Sequence, residues 1–235
     1  MQRINDLEDL LVGYIHDLYS AEEQVLEAMP AIIQKAQHRS LKNALKHHLD
    51  LTAEQKRRLE KVVQVINENR KGESTKQPIS LRNNTNEAGA KGITGLIEEA
   101  ELLLSSTLSR EVTDSAIIAC VQKIEHYEIC TYGTAHAFAM QLQLKSVEGL
   151  LLETLDEEYA ADDLLTALAT SAFNKESAPE ATEQDKPGES EKDNLGAASE
   201  RSGGKTSINE RNVNSPGGRA GTSHRRYPSG ESRGH

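Results

Sequence analysis

Apolar residues recur along most of the chain at alternating spacings of three and four positions, the spacing that gives an α-helix one buried face. Five such helical patterns follow one another, and no stretch shows a convincing two-residue alternation of a β-strand. The predicted helices cover about residues 5–36, 41–69, 91–108, 114–142 and 147–173. The pattern therefore predicts an all-α protein.

Capping residues and a polar gap set the boundaries of these helices. Asn5, with Glu8 three residues later, has the spacing of a capping box, and Ser40 is a second N-cap candidate. Residues 70–90 are polar and contain Gly, Pro and Asn, which is typical of a long crossover loop. Two long helices, a crossover and two more long helices predict a ferritin-like antiparallel four-helix bundle with one extra short helix.

The composition changes after residue 173, where large apolar residues almost disappear. We therefore predict a helical bundle over residues 1–173 and a polar tail over 174–235. The tail cannot bury enough apolar surface to offset its ordering entropy, so we expect it to be disordered. Its ten Lys/Arg balance its ten Asp/Glu, so the bundle carries the whole net charge of -10. An acidic bundle is not expected to bind nucleic acid, which leaves only a weak contact through the basic end of the tail.

Cysteine content and hydropathy indicate the compartment. Cys120 and Cys130 lie ten residues apart in one predicted helix and so on different faces, which excludes a disulfide between them within that helix. The start of the chain lacks a signal-peptide core, and no apolar run approaches membrane length. We expect a cytoplasmic protein with no membrane contact. Motifs of nucleotide chemistry and serine hydrolysis do not occur either.

Polar residues interrupt the buried stripe midway along each of the four long predicted helices. They are Glu22 in the first, His48, Thr52 and Gln55 in the second, Glu125 and Glu128 in the fourth, and Thr154 and Glu158 in the fifth. Four glutamates buried at one level would repel one another, and removing a charge from water is costly. They require either protonation through raised pKa values or a multivalent cation. The alternative is a shifted register that exposes these glutamates to water.

The imidazole at the same level favours the cation. Carboxylates together with imidazole suit iron, manganese or zinc, and di-iron carboxylate sites are built in the cores of such bundles. The predicted metal ligands are Glu22, His48, Glu125, Glu128 and Glu158. We set aside residues that lie off the buried stripes or lack a carboxylate at matching depth, namely His16, His47, His126, His136, Glu98, Glu99 and Glu101. Tyr19 and Tyr132 are expected to fill the core and to hydrogen-bond a ligand carboxylate.

Five stretches also carry a resemblance to a known family. They are DLYSAEEQ (17–24), HHLDLTAEQ (47–55), GLIEEAELLL (95–104), CVQKIEHYEICTYGT (120–134) and ETLDEEYAADDLL (153–165). Over about residues 5–172 the chain resembles the YciE/YciF-type bacterial family of the ferritin-like superfamily. The resemblance implies a rubrerythrin-like bundle, a homodimer, a role in stress responses, metal binding and a ferroxidase-type activity. The family motifs coincide with the same five predicted ligands.

The chain departs from the symmetric two-iron pattern that this resemblance implies. Leu51 stands where the family often has a second acid, and Leu45 and Ala161 stand where a Glu-x-x-His pattern would place a ligand. The predicted set is therefore short by at least one histidine. A single metal remains open, and so does an asymmetric pair completed by water, Thr52, Gln55 or Asp162.

Two functions follow as expectations. In the first, the bundle binds iron or manganese and uses oxygen or peroxide to oxidise it, with Glu125 or Glu128 bridging, Glu22 and Glu158 as terminal ligands and His48 as the imidazole ligand. In the second, the polar layer is protonated and hydrogen-bonded, so that it specifies helix register in a non-enzymatic structural protein whose tail binds a partner.

Overall fold

Five α-helices and no strand occur in the part of the chain that the computed structural model describes, residues 4–71, 77–81 and 90–170. They are α1 (Leu7–Lys35), α2 (Arg39–Asn69), α3 (Lys91–Ser105), α4 (Arg110–Gln141) and α5 (Lys145–Leu168). All five lie in the first of the two units of the chain, Met1–Gln184. The second unit, Asp185–His235, and the predicted disordered tail lie outside the described residues.

The four long helices form the predicted bundle. α1 packs against α2 and α4, and α5 packs against the same two helices, so the four close into a ring. The short connections at residues 36–38 and 142–144 make α1 and α2, and likewise α4 and α5, antiparallel neighbours. The short α3 packs on α4 and α1. Among the described residues, no helix combines the length and apolar character that crossing a membrane would require.

The predicted helix starts are wrong by a few residues. Asp6, not Asn5, caps α1, because its side chain accepts the Asp9 N–H at 2.8 Å. α2 begins directly after His38, so Ser40 lies inside the helix. α4 begins at Arg110, four residues before the predicted start, because Ser109 accepts the Val112 N–H. α3 ends at Ser105, earlier than predicted, while the predicted end of the fifth helix at residue 173 lies outside the described residues.

Asp114, the predicted first residue of the fourth helix, instead caps the start of α2. Its buried carboxylate accepts the backbone N–H of Gln37 at 2.7 Å and that of His38 at 2.8 Å. The Nδ1 atom of His38 lies 2.6 Å from the same carboxylate. These backbone donors are orphans at any helix start, so one side chain of α4 satisfies them and fixes the turn between α1 and α2.

The connection between α4 and α5 is a tight left-handed turn. Gln143 has φ 56°, the Leu144 N–H donates to the Ala139 carbonyl at 2.9 Å, and the Gln143 N–H donates to the Met140 carbonyl at 3.0 Å. These two bonds form a Schellman motif, which here places glutamine at the position that usually carries glycine. The turn sends α5 back along α4.

Two side chains at the C-terminal end of α2 hold the crossover: Asn67, and Arg70, whose guanidinium donates to the Gln77 carbonyl at 3.1 Å. The Asn67 amide donates to the Ile79 carbonyl at 2.9 Å and its oxygen accepts the Ile79 N–H at 2.8 Å. Ile79 and Leu81 then pack against the apolar core. The predicted loop between α2 and α3 is thus anchored at residues 77–81, while residues 72–76 and 82–89 lie outside the described chain.

The bundle core consists of two apolar clusters with polar residues between them. The first includes Val25, Met29, Leu45, Val121 and Ile124, and the second includes Leu11, Leu18, Leu59, Val62 and Leu151. Between them lies a buried set that we call the polar layer: Glu22, His48, Thr52, Gln55, Glu125, Glu128, Thr154 and Glu158. The predicted register is therefore confirmed, and these glutamates do not lie on a solvated face. The two cysteines are free thiols, Cys120 buried and Cys130 exposed.

Candidate metal centre

Four of the five predicted ligands come together in the polar layer. They are His48 on α2, Glu125 and Glu128 on α4, and Glu158 on α5, and each offers one ligand atom within 4.8 Å of the others. Glu125 and Glu128 share a face of α4 because residues three apart on a helix lie on the same side. All four side chains are buried.

Glu22, the fifth predicted ligand, lies beside this group on α1. The Tyr132 hydroxyl donates to its Oε1 atom at 2.5 Å. The charge of Glu158 raises the pKa of Glu22, and the charge of Glu22 in turn raises the pKa of Glu128, so Glu22 is a neighbour of both carboxyls. Glu22 nevertheless falls outside the set of mutually close ligand atoms.

Most ligand atoms of the polar layer have no hydrogen-bond partner among the described residues. They are Glu22 Oε2, both ring nitrogens of His48, Gln55 Oε1, both oxygens of Glu125 and of Glu158, and Glu128 Oε1. His48 Nε2 lies 3.2 Å from Glu125 Oε1, but without the geometry of a hydrogen bond. Buried polar atoms are ordinarily hydrogen-bonded, so this many exceptions in one place need an explanation. Carboxylate oxygens and an imidazole facing one another fit a bound cation, or, without one, a proton shared between the carboxyls of Glu125 and Glu158.

Burial shifts the protonation of these groups in the metal-free chain. Desolvation, reinforced by the neighbouring carboxylates, raises the pKa values of Glu22, Glu125 and Glu128 well above their usual range. Desolvation also raises the pKa of Glu158 to about 7. It lowers the pKa of His48 to about 4, and the charge of His47 adds to this. At neutral pH His48 is therefore neutral and its contact with Glu125 is not an ion pair.

Arg58 is a neighbour of the polar layer that the sequence analysis missed. Its guanidinium donates two bonds of 2.9 Å to Glu157, pairs with Glu153 at 2.9 Å and donates to the Thr154 hydroxyl at 2.7 Å. Its positive charge opposes the rise in the pKa values of Glu22 and Glu158. Arg58 lies one position off the buried stripe of α2, and the predicted ligands come only from residues on such stripes. The available signal was Glu153 and Glu157, an acidic pair four residues apart on one face of α5.

The three residues proposed to complete an asymmetric pair have other contacts. The Thr52 hydroxyl donates to the His48 carbonyl at 3.0 Å. The Gln55 amide nitrogen donates to Glu157 at 3.2 Å, and its buried oxygen has no hydrogen-bond partner among the described residues. Asp162 accepts a bond of 2.9 Å from Gln122. Of the three, Gln55 alone keeps a buried oxygen without a described partner.

The expectation for the two tyrosines is confirmed for one of them. Tyr132 is fully buried and donates to Glu22, a predicted ligand. Tyr19 donates instead to Glu60 at 3.1 Å, and Lys56 lies over its ring at 4.8 Å, so its predicted bond to a ligand carboxylate is wrong.

The residues set aside in the sequence analysis stay outside the ligand group. Five of them are exposed, namely His47, His126, Glu98, Glu99 and Glu101. The other two, His16 and His136, are half-buried. His126 lies 3.5 Å from Asp162 at the surface, as expected for a residue one position off the stripe.

Comparison with known proteins decides the family. The family model described as "Domain of unknown function (DUF892)" matches residues 6–178, well over half of the chain. The chain belongs to the DUF892 family. Within it, the chain is 37% identical to Protein YciF of Escherichia coli (strain K12) over 169 residues, which cover 72% of this chain and 93% of YciF. The predicted resemblance to the YciF type is therefore confirmed.

Two solved structures of similar sequence agree with the fold of this DUF892 chain. The crystal structure of the E. coli stress protein YciF superposes with a TM-score of 0.63 at 36% identity, covering 73% of this chain and 99% of that one. YcfI from Rhodopseudomonas palustris, described as a candidate structural protein, superposes with a TM-score of 0.61 at 33% identity, covering 70% and 96%. The helical bundle is thus shared by all three chains.

Proposed function

We propose that this chain is a metal-binding protein of the YciF stress type whose polar layer binds iron, or manganese, and oxidises iron(II) with oxygen or peroxide. The observation that carries the proposal is the group of four buried ligand residues, most of whose donor atoms have no other described partner. Zinc would fit the same donors without redox chemistry.

Each predicted ligand of the layer has a proposed role in binding the metal. His48 presents a neutral imidazole, the form that binds metals. Glu125 or Glu128 would bridge or chelate from α4, with Glu158 as a terminal ligand and Glu22 as a ligand on the side of α1. The glutamates that hold protons in the metal-free chain would release them when the cation binds, because a carboxylate binds metal in its ionised form.

Iron(II) is the substrate in this proposal. Each hydrogen peroxide molecule accepts one electron from each of two iron(II) ions and also takes up two protons. Its O–O bond breaks, and the products are two water molecules and two iron(III) ions. The layer contributes a buried, preorganised set of negative charge, which favours the more highly charged product.

Elemental analysis of the purified full-length protein is the first test. We expect bound iron or manganese, and anaerobic loading with iron(II) followed by air or peroxide should then produce an absorbance increase from iron(III). A metal-free protein that neither takes up iron(II) nor changes its absorbance with either oxidant would overturn the proposal.

The second candidate is a structural protein without enzymatic activity. The observation in its favour is that burial raises the pKa values of Glu22, Glu125 and Glu128 well above their usual range, which favours neutralisation of the layer by protons instead of a metal. Thermal unfolding with and without a chelator separates the two candidates. Metal at 100 times its dissociation constant should add about 2.7 kcal/mol to the unfolding free energy, whereas the structural protein would show no change.

A homodimer, a partner-binding tail and a cytoplasmic location stay predictions from the sequence. Sedimentation of the full chain and of a chain ending at residue 173 would test the homodimer and show whether it depends on the tail. We expect a dimer in both cases, since the predicted dimer is built from the bundle.

A further inference from the structure

A cleft of about 370 Å³ lies between α2, α4 and α5 and connects the surface with the polar layer. At its outer end are exposed side chains, among them Leu164, which is 44% exposed. At its inner end are Val121 and the two metal-ligand candidates His48 and Glu125, all buried. A molecule entering from solvent would therefore reach the candidate metal centre.

The walls of this cleft are apolar. Eight of its twelve lining residues are alanine, leucine or valine. Leu45 and Ala161 lie three residues from His48 and Glu158 on the same helix faces, positions from which a longer polar side chain could reach the centre. Both are apolar and both line the cleft, so the space next to the centre is open to an apolar group.

The polar residues of the cleft select against an anion. Glu125 and Glu157 place two carboxyls on its wall, and Glu157 is held in position by Arg58 and Gln55. Apolar walls make an unpaired charge costly in the rest of the cleft. The volume falls within the roughly 300–1,000 Å³ of small-molecule sites. The fitting occupant is a neutral, mostly apolar molecule with one polar end directed at His48 and Glu125.

We propose that the cleft binds an organic hydroperoxide, ROOH, with its apolar group against Leu51, Ala161 and Leu164 and its hydroperoxide group at the centre. This rests on the proposed function, because iron(II) supplies the electrons. The O–O bond breaks, two iron(II) ions lose one electron each, two protons are taken up, and the products are the alcohol ROH, water and two iron(III) ions. Hydrogen peroxide has no apolar group and gains nothing from these walls.

The first arm of the test measures binding without any metal. Cumyl alcohol, the unreactive product of cumene hydroperoxide, is titrated into metal-free full-length protein while the alanine methyl resonances are followed by NMR. We expect shifts of the Ala44, Ala160 and Ala161 methyls, which line the cleft. Ala161→Leu, which fills the cleft, should abolish binding. Ala167→Leu, at an exposed position of the same helix, is the matched control and should leave binding unchanged.

The second arm measures iron(II) oxidation in the loaded protein. In Ala161→Leu we expect the rate with cumene hydroperoxide to fall by about 10–200-fold, the range that one misfitted methylene produces in an apolar pocket. The rate with hydrogen peroxide should fall less than the rate with cumene hydroperoxide, because hydrogen peroxide is smaller and has no apolar group that contacts these walls. The amount of bound iron, measured in the same sample, normalises both rates. Should Ala161→Leu fail to fold by circular dichroism, Ala160→Leu at the exposed rim takes its place.

The outcomes separate this inference from the proposed function. If hydrogen peroxide oxidises bound iron but cumyl alcohol changes no alanine methyl resonance of the cleft, the proposed function is supported and the assignment of an organic hydroperoxide is wrong. An equal loss of rate with both oxidants in Ala161→Leu overturns it as well. If neither oxidant acts on loaded iron, the proposed function fails and takes the hydroperoxide reaction with it, while the binding arm still decides whether the cleft accepts an apolar molecule.

Discussion

Glu128 lies in the polar layer with Glu22, and Tyr132, one turn further along α4, lies at the edge of the second apolar cluster. The Tyr132 hydroxyl donates a hydrogen bond to Glu22, whereas Glu128 Oε1 has no hydrogen-bond partner among the described residues. At the scale of single residues, the layer thus contains one oriented carboxyl and several whose lone pairs remain available. The two kinds of residue should respond differently to substitution.

Glu128→Gln should lower metal occupancy sharply, because an amide keeps the shape of the side chain but removes the negative charge. We expect the loss of affinity to exceed the roughly 10–100-fold that follows changes to residues outside the ligand set. Elemental analysis after dialysis against a fixed free-metal concentration measures it. Glu98→Gln removes the same charge from an exposed position and should bind metal as the wild type does. Equal occupancy in the two variants would remove Glu128 from the ligand set.

Tyr132→Phe should weaken metal binding while leaving all predicted ligands in place. The substitution deletes the hydroxyl that orients Glu22, and we expect a 10- to 100-fold loss, about the size typical of such supporting residues. A metal titration of the purified variant gives the constant. Tyr14→Phe, which retains the ring contact with Phe138 in the second apolar cluster, is the control. An unchanged constant in Tyr132→Phe would show that Glu22 does not take part in binding.

At the scale of helices, side chains that bridge two elements set the geometry of the layer. Asp114 joins α4 to the start of α2, and Arg58 joins α2 to Glu153 and Glu157 of α5. Because His48 lies on α2, Glu125 on α4 and Glu158 on α5, these bridges determine how the ligand-bearing helices stand relative to one another. The Schellman turn at Gln143 adds a third constraint, between α4 and α5.

Asp114→Ala should destabilise the bundle, because it leaves the N–H groups of Gln37 and His38 without their acceptor. Loss of a side-chain acceptor at a helix start costs about 0.5–2 kcal/mol. Urea unfolding of the metal-free protein gives the difference in unfolding free energy. Asp163→Ala, at an exposed position of α5, should stay within about 0.5 kcal/mol of wild type. A comparably small effect of Asp114→Ala would mean that water replaces the carboxylate at this turn.

At the scale of the whole molecule, a polar layer divides one core into two apolar clusters. The stability of the bundle is therefore linked to whatever neutralises that layer. In the metal-free chain protons do so: burial raises the pKa of Glu158 from 4.5 to about 7 and lowers that of His48 from 6.5 to about 4. These two shifts act in opposite directions on the pH dependence of stability.

The metal-free protein should lose stability as the pH rises above 6.5. Between pH 4.5 and about 7 the folded state holds a proton on Glu158 that the unfolded state has lost, so the contribution of Glu158 to stability falls across this window and levels off above it. The contribution of His48 is complete above 6.5 and is lost only on acidification toward 4. The slope is up to about 1.4 kcal/mol per pH unit for each such carboxyl.

Thermal unfolding in the presence of a chelator, at several pH values above 6.5, checks this expectation. Glu158→Gln cannot titrate and should show a shallower dependence. Saturation with metal should abolish the decline, because the bound cation keeps the carboxylates ionised in the folded state. A melting temperature of the metal-free wild type that rises with pH would contradict the assignment of protonated glutamates.

The alternation of apolar and polar positions was enough to predict five helices and the polar layer itself. This succeeds because helical periodicity is local: once Leu18 and Val25 lie on the buried face, Glu22 between them must lie there too. The same reasoning placed Glu125, Glu128 and Glu158 inside the bundle. Helix starts were less accurate, because adjacent residues such as Asn5 and Asp6 have nearly the same capping chemistry and the choice depends on a few backbone angles.

Only the tertiary structure decided how the helices face one another. In the folded chain Glu22 lies outside the four-residue group, and Asp114 of α4 caps the start of α2. Arg58 pairs with Glu157, and an apolar cleft lies beside His48. Each of these depends on the rotation and axial shift of one helix against another, quantities that residues far apart in sequence determine together. The sequence by itself determined which residues are buried, and the packing of α1, α2, α4 and α5 determined which of them meet.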